Sequence, residues 1–569
     1  MSMRTLSRLA LIIGLGLSAP AAAQFTVPLQ SGLAGAYLAA RNAAIAGDHR
    51  EAAVQFQRVL REDPDNETVL GDVLLALAAI GDWTQAATYA ARVPEETEER
   101  DFANLVQQVV RLRDGAFAEA REATANEIGA GPLIDPLLEA WLYLADGDMT
   151  RATQTFEAML DVNSPLAGLV PYHLALARAS VGDFEGAEAI FSGEVYGQLQ
   201  LSTRGVQAHA QILVQLDRAE DALQLLDAAL SRQANQALFE LRDQIAADPT
   251  RPYDFVLTPA EGMAEVFFSL SRALGTEAGT NLPLVYARAA YAIDPDHVEA
   301  VLLAGDILSD AGQSSMAVDA YELVSRENPL FVDAEVGRSE ALYQLGNVDA
   351  AIEVLRALSR DYPGLASVHT ALGDVLRRED RFEAAATAYT NAVDLINRDQ
   401  ERYWFLFYSR AISYERSDHW EAAEADFRHA LTLRPDQPNV LNYLGYSLVE
   451  QDRNLDEALD MIQRAVAARP DSGFIVDSLG WVFYRLGRFE EAVSPMERAV
   501  ELEPNDPIIN DHLGDVYWMV GRYREAEFQW SRALSFDPEP AEAERIRAKL
   551  EFGLDAVLSE EEADAGPRP

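Results

Sequence analysis

Residues 477–506 read DSLGWVFYRLGRFEEAVSPMERAVELEPND, and residues 511–540 read DHLGDVYWMVGRYREAEFQWSRALSFDPEP. The two stretches run in step, 34 positions apart. Gly480 answers to Gly514, Gly487 to Gly521, Ala492 to Ala526, Met496 to Trp530, Ala499 to Ala533 and Pro504 to Pro538. Alanine, large residue and second alanine lie four and three apart, which puts them on one helix face. The second glycine marks where a first helix stops and the chain reverses. The proline follows a second helix, which it cannot continue. Small residues let two antiparallel backbones approach, and the large residue fills the space between them. The stretch therefore predicts a helical hairpin, written twice.

The same marks extend outward. Pro295, Pro329 and Pro363 are 34 apart, and Pro435, Pro470, Pro504 and Pro538 follow at 35, 34 and 34. Gly373 and Gly445 precede Gly480 and Gly514 at the equivalent place, and Gly312 and Gly346 precede Gly487 and Gly521. Ala317, Ala351, Ala385, Ala423 and Ala458 recur in phase, each followed four residues later by Tyr321, Leu355, Tyr389, Phe427 or Ile462. This resembles the tetratricopeptide repeat, whose period and small–large pattern it matches. The resemblance implies an all-α superhelical solenoid in which stacked hairpins bury a shared core.

Upstream the pattern is eroded. Residues 47–66, 81–93, 147–160, 182–193 and 217–230 read as second helices of weaker units. The period predicts roughly 12–13 repeats between about residue 31 and 540. Segment 248–279 interrupts the pattern with prolines, a short β-branched run and an apolar helix, and reads as a joint. The expected organisation is a signal segment at 1–23, a degenerate array at 24–247, the joint at 248–279 and a sharp array at 280–540. Residues 541–569 are expected as a terminal helix and an acidic disordered tail, because the sequence after Leu550 has no apolar period.

The chain is strongly acidic, with 92 Asp+Glu against 46 Lys+Arg. That balance excludes a phosphate-binding basic footprint, so no nucleic acid is expected. Arg4 and Arg8, an apolar run from Leu9 to Leu17 and Ala21-Ala22-Ala23 read as a secretory signal cut after Ala23. No later stretch is apolar enough to span a membrane. There is no cysteine. That leaves no disulfide, no Cys-ligated metal and no thiol to carry a lipid. The expectation is an exported, soluble, periplasmic protein.

No HExxH, GxSxG or glycine-rich phosphate loop is present, and the eight histidines fall in separate units. The reading is therefore non-enzymatic, with no cofactor and no metal. The repetition builds a surface, and the first helix of each unit lines its concave side. By period the inward positions are Asn439, Asn442 and Tyr446, then Phe474, Asp477, Trp481 and Tyr484, then Asp511, Asp515 and Trp518. The Asn442 amide offers a donor and an acceptor to a peptide backbone, and the aromatics offer anchor area. Asp477, Asp511 and Asp515 are expected to favour a basic segment of a protein partner. The sole lysine, Lys549, lies beyond the repeats, so a clamp for a C-terminal carboxylate is not expected.

Residues 441–493, with the insertion at EQDRN followed by DSLGWVFYRLG, together with PAEGMAEVFFSLSRAL at 259–274, are similar to a narrower family of proteobacterial envelope repeat proteins. That family includes the lipoprotein adaptor of a carboxyl-terminal processing protease. The resemblance implies a periplasmic scaffold that brings a protease to its substrates. The alternative is a scaffold subunit of an envelope assembly or of a polysaccharide or fimbrial export complex. This chain departs from the adaptor in lacking the cysteine that would be lipidated.

Overall fold

The computed structural model describes residues 33–131, 134–160, 168–232, 235–275 and 279–565. The expected signal segment, 1–23, lies outside them. Among the described residues there are thirty-one α-helices, one short 3-10 turn and no strand. All the helices but one pair as consecutive hairpins; Gln236–Ala247 stands alone.

The hairpins close as the sequence marks predict. A Cβ built on Gly373 would stand 2.6 Å from the Tyr389 ring, one on Gly480 2.5 Å from Met496 and one on Gly514 2.4 Å from Trp530. Only hydrogen fits there, so the first helix lies directly on the large residue of the second. Tyr389, Phe427, Ile462, Met496 and Trp530 are fully buried, as are Ala385, Ala423, Ala458, Ala492 and Ala526. The turn between paired helices needs a left-handed residue: Gly312, Gly346, Gly487 and Gly521 all have positive φ. Where glycine is missing, Asp217, Asp380, Asp418 and Asp452 adopt it, as short side chains that bond the local backbone can.

The chain divides into two compact units, one ending at Leu358 and the other beginning at Ser359. The division therefore does not fall at 248–279. In the first unit, the helix expected within that joint, Pro259–Leu274, is an interior element. It packs on first helices Arg100–Arg113, Asp135–Ala145 and Val170–Ser180, and its partner, Asn281–Ile293, packs on Glu67–Ile80 and Arg100–Arg113. Met263, Ala264, Val266 and Phe267 are fully buried on successive faces of the helix. Every residue from Gly262 to Ser271 is buried, and the polar ones among them, Glu265, Ser269 and Ser271, lie inside with the apolar ones.

In the second unit, first helices Ala366–Arg378, Trp404–Arg416, Pro438–Glu450, Gly473–Arg485 and Pro507–Met519 alternate with their partners, and most neighbouring first helices also touch one another. They form the inner wall. A last pair, Pro540–Phe552 and Leu554–Ala565, extends the array. The tail expected to be disordered after Leu550 is thus helical from Leu554 to Ala565. Leu554 is fully buried and Arg545 binds Glu561 at 2.7 Å, which anchors the last helix to the one before it.

Candidate functional site: two concave walls

The first unit partly fills its own concave wall. Glu265, on Pro259–Leu274, is 1% exposed and accepts from the Tyr172 hydroxyl at 2.8 Å and Arg204 Nε at 2.8 Å. His297 Nε2 lies 3.1 Å from the same carboxylate. Burial alone would raise the Glu265 carboxyl, but the Arg204 guanidinium, the His297 contact and the Tyr172 bond hold it well below the usual carboxylate range. Arg204 also bonds Glu299 at 2.8 Å and lies over the Phe255 ring. One turn away, a Cβ on Gly262 would stand 2.4 Å from the Trp141 indole, so helix and ring are in flat contact. At the rim, Gln313 Nε2 donates to the Ala46 carbonyl and Arg50 pairs with Asp319 at 2.5 Å, joining the first hairpin to the hairpin after the inserted one. This wall presents its first-helix residues to the chain's own helices.

The ten residues expected from the period lie on three first helices of the second unit, in three different conditions. Around Pro507–Met519 the acids are already neutralised. Lys549 is 1% exposed, and its Nζ donates to Asp511 at 2.7 Å and to Asp515 at 2.6 Å. Arg545 stands 3.6 Å from both carboxylates, and Trp530 Nε1 donates to Asp515 at 2.9 Å. Burial pushes the Asp511 carboxyl up, and Lys549 opposes it. Asp477 is 3% exposed and contacts His512 Nδ1 at 3.0 Å. The expectation that Asp477, Asp511 and Asp515 attract a basic partner is therefore corrected: Lys549 and Arg545 stand beside Asp511 and Asp515, and the His512 imidazole engages Asp477. Lys549, placed by sequence beyond the repeats, belongs to the wall.

The aromatic set is partly engaged. Trp481 stacks on His512 at 4.0 Å and on Tyr484 at 4.8 Å, and its Nε1 donates to Glu450 at 2.7 Å. Trp518 packs against Trp530 and donates to Asp555 at 3.2 Å. These rings set the spacing of adjacent repeats and are only partly accessible.

The third group is open. Phe474 is 41% exposed, and Phe405 at the equivalent place two repeats earlier is 44% exposed. Asn439 and Tyr446 are half-buried, and neither side chain makes a hydrogen bond among the described residues. Asn442 is buried, and its Oδ1 has no partner. That oxygen is closed to solvent, so its missing donor is a desolvation cost held inside the wall. Sequence reasoning missed Phe405, although it falls at the Phe474 place. Among the described residues no cluster of three or more His, Asp or Glu is arranged to hold a metal ion, and no helix is long and apolar enough to cross a membrane.

A wall of stacked first helices, backed by second helices and lined with amide and aromatic side chains, defines a helical-repeat recognition array. Tetratricopeptide-repeat family models match residues 43–109, 302–366, 408–473 and 477–506. These segments are tetratricopeptide repeats. It is 28% identical over 185 residues to the TPR repeat-containing protein PA4667 of Pseudomonas aeruginosa, covering 32% of this chain and 30% of that one. It is 24% identical over 186 residues to the peroxisomal targeting signal receptor of Candida albicans, covering 32% of this chain and 31% of that one. The chain thus spans less than a third of the length of either relative. Among solved structures, the APC/C hetero-tetramer Cut9-Hcn1 aligns over 92% of this chain and 97% of its own at 15% identity and a TM-score of 0.38. YrrB, described as a TPR protein with an unusual peptide-binding site, aligns over 33% of this chain and 95% of its own, at 19% identity and a TM-score of 0.28.

Proposed function

We propose that this protein is a non-enzymatic, exported scaffold that binds segments of partner proteins in the concave groove of its second unit. The observation that carries this reading is the contrast between the walls. The first is partly covered by the chain's own helices, with a cavity of about 480 Å³ left beside Arg204, His297 and Glu299. The second keeps Phe405 and Phe474 exposed at equivalent places on its first helices. Aromatic anchors with hydrogen-bonding groups between them suit an extended peptide. The sequence likeness to envelope repeat proteins favours a periplasmic adaptor that presents substrates to a processing protease.

The test is a cross-linked pull-down from the periplasm with the wild-type chain beside a Phe405→Ser, Phe474→Ser double variant. Both side chains are largely exposed, so the fold should tolerate the change. A processing protease or its substrates should come down with wild type and be lost with the variant. Recovery of an outer-membrane export complex instead would favour the assembly-scaffold reading. Partners retained by the variant would rule out the groove.

A further inference from the structure

The inference goes beyond the groove of the second unit and concerns the cavity of about 480 Å³ left in the first. The helix Gln236–Ala247, which has no hairpin partner, lines it with Glu240, Leu241 and Gln244. Arg204, Gln207 and Gln211 line it from Thr203–Gln215, at spacings of three and four that make one helix face. Asp294, Asp296 and Glu299 line it from the turn after Asn281–Ile293 and the start of Val298–Asp310. The Arg204 guanidinium ties these two sides together, with Nη1 2.8 Å from Glu299.

Charge decides what the cavity takes. Both guanidinium groups in its lining are used inside the chain. Arg204 places Nε and Nη2 2.8 Å from Glu265 and Nη1 on Glu299. Arg251 is held by Asp254 and Gln244. Glu240, Glu261, Asp294 and Asp296 have no ion pair among the described residues. The Glu240 carboxylate accepts only from the Gln236 amide, that of Glu261 only from the Leu257 N–H, and that of Asp294 only from the Asp296 N–H. Burial raises the Asp294 carboxyl against the Asp296 N–H and His297, and the Glu261 and Asp296 charges add to the rise. An anion would meet unpaired carboxylates and no free cation, so the cavity selects positive charge. Among the described residues no three of these acids are arranged to hold a metal ion, so an extended organic cation suits them better than a compact one. Gln211 adds a second requirement. It is 6% exposed, and its Oε1 accepts from the Asp254 N–H at 3.0 Å. Its Nε2 is not closed to solvent and has no acceptor among the described residues. An amide N–H calls for a carbonyl oxygen, which a peptide unit has and a polyamine lacks.

We propose that this cavity takes a lysine or arginine side chain from an internal segment of a partner protein, its charged head among Glu240, Glu261, Asp294 and Asp296 and a main-chain carbonyl of the same segment on Gln211 Nε2. The segment is internal because a terminal carboxylate would be repelled by the same acids. The basic preference expected from Asp477, Asp511 and Asp515 thus falls to a different wall.

The test uses the full chain and a library of blocked decapeptides, acetylated and amidated. Each carries a central Lys, Arg, Gln or Glu, with the other positions randomised over uncharged residues, and affinities are read at one fixed salt concentration. Lys and Arg peptides should bind about tenfold tighter than Gln peptides, the effect of one partly desolvated charge contact, and Glu peptides should bind weakest. Bound Lys peptide should slow hydrogen exchange in residues 203–215 and 236–247. Glu240→Gln with Asp296→Asn, two side chains outside any ion pair, should erase the preference while leaving Gln peptides unchanged. The same ranking should persist in the Phe405→Ser, Phe474→Ser variant, so the cavity and the groove stand or fall separately. Equal binding of Lys, Gln and Glu peptides overturns the proposal, as does absence of all peptide binding. A preference that survives Glu240→Gln with Asp296→Asn also overturns it and assigns the effect to the general acidity of the surface. Spermidine that displaces the Lys peptide at equal or lower concentration, and only while Glu240 and Asp296 are present, overturns it in favour of a free polyamine.

Discussion

At the residue scale, the Lys549 cluster is the most consequential arrangement in the second unit. Its ammonium stands between two carboxylates in a site closed to water. Removing one partner of such a set leaves buried charge without compensation, whereas replacing the whole set by apolar groups is often tolerated. Lys549→Met should therefore lower the stability of the second unit by about 3–5 kcal/mol, read by urea denaturation. Adding Asp511→Leu and Asp515→Asn should restore at least half of that loss. A single variant indistinguishable from wild type would mean that Arg545 alone neutralises both acids. The cluster also marks how far the sequence could be read. The period placed Asp511 and Asp515 on the wall because first-helix positions repeat. It could not reveal their partner, because Lys549 sits past the last proline mark on a helix that lacks the repeat's signature. For the same reason it could not separate free acids from paired ones.

At the scale of the element, the helix Pro259–Leu274 carries the lesson. The hairpins were legible because a small residue, an alanine and a large residue meet at one contact, and that contact leaves a repeated trace in the C-terminal units. This helix leaves a different trace. Its buried residues include Glu265, Ser269 and Ser271 as well as apolar ones, and they occupy every face. Flanking prolines made it read as a joint, but a helix buried over ten consecutive residues fits only where neighbours surround it. Gly262 is the point of closest approach. Gly262→Ala should cost ~1–3 kcal/mol by overpacking, since a fully buried indole cannot move aside. The check is thermal unfolding of the variant beside Gly262→Ala with Trp141→Phe, whose smaller ring should recover part of the loss. If Gly262→Ala is instead stabilising, as helix propensity alone would favour, the contact with Trp141 is not tight.

At the scale of the whole molecule, two units with separate cores imply two stabilities. The first unit holds one core cluster from Ala36 to Ala341 and a second from Val206 to Ile245, and the second unit holds a cluster from Val476 to Leu554. In repeat arrays stability is set by each unit and its nearest neighbours, so a lesion propagates only as far as contacts are continuous. Glu265 joins helices distant in sequence within the first unit alone. Glu265→Gln leaves Arg204 buried with Glu299 as its remaining partner and should cost roughly 3 kcal/mol. In native-state hydrogen exchange that is on the order of a hundredfold faster opening of residues 135–145, 170–180 and 259–274. Residues 438–450, 473–485 and 507–519 should exchange at their wild-type rate. Faster exchange confined to the first unit, with partner capture by the second unit intact, would mean that the Glu265 contacts are structural and that the second wall captures its partner without them. Equal acceleration in both units would show that they open as one, and the two walls could then no longer be assigned separate roles.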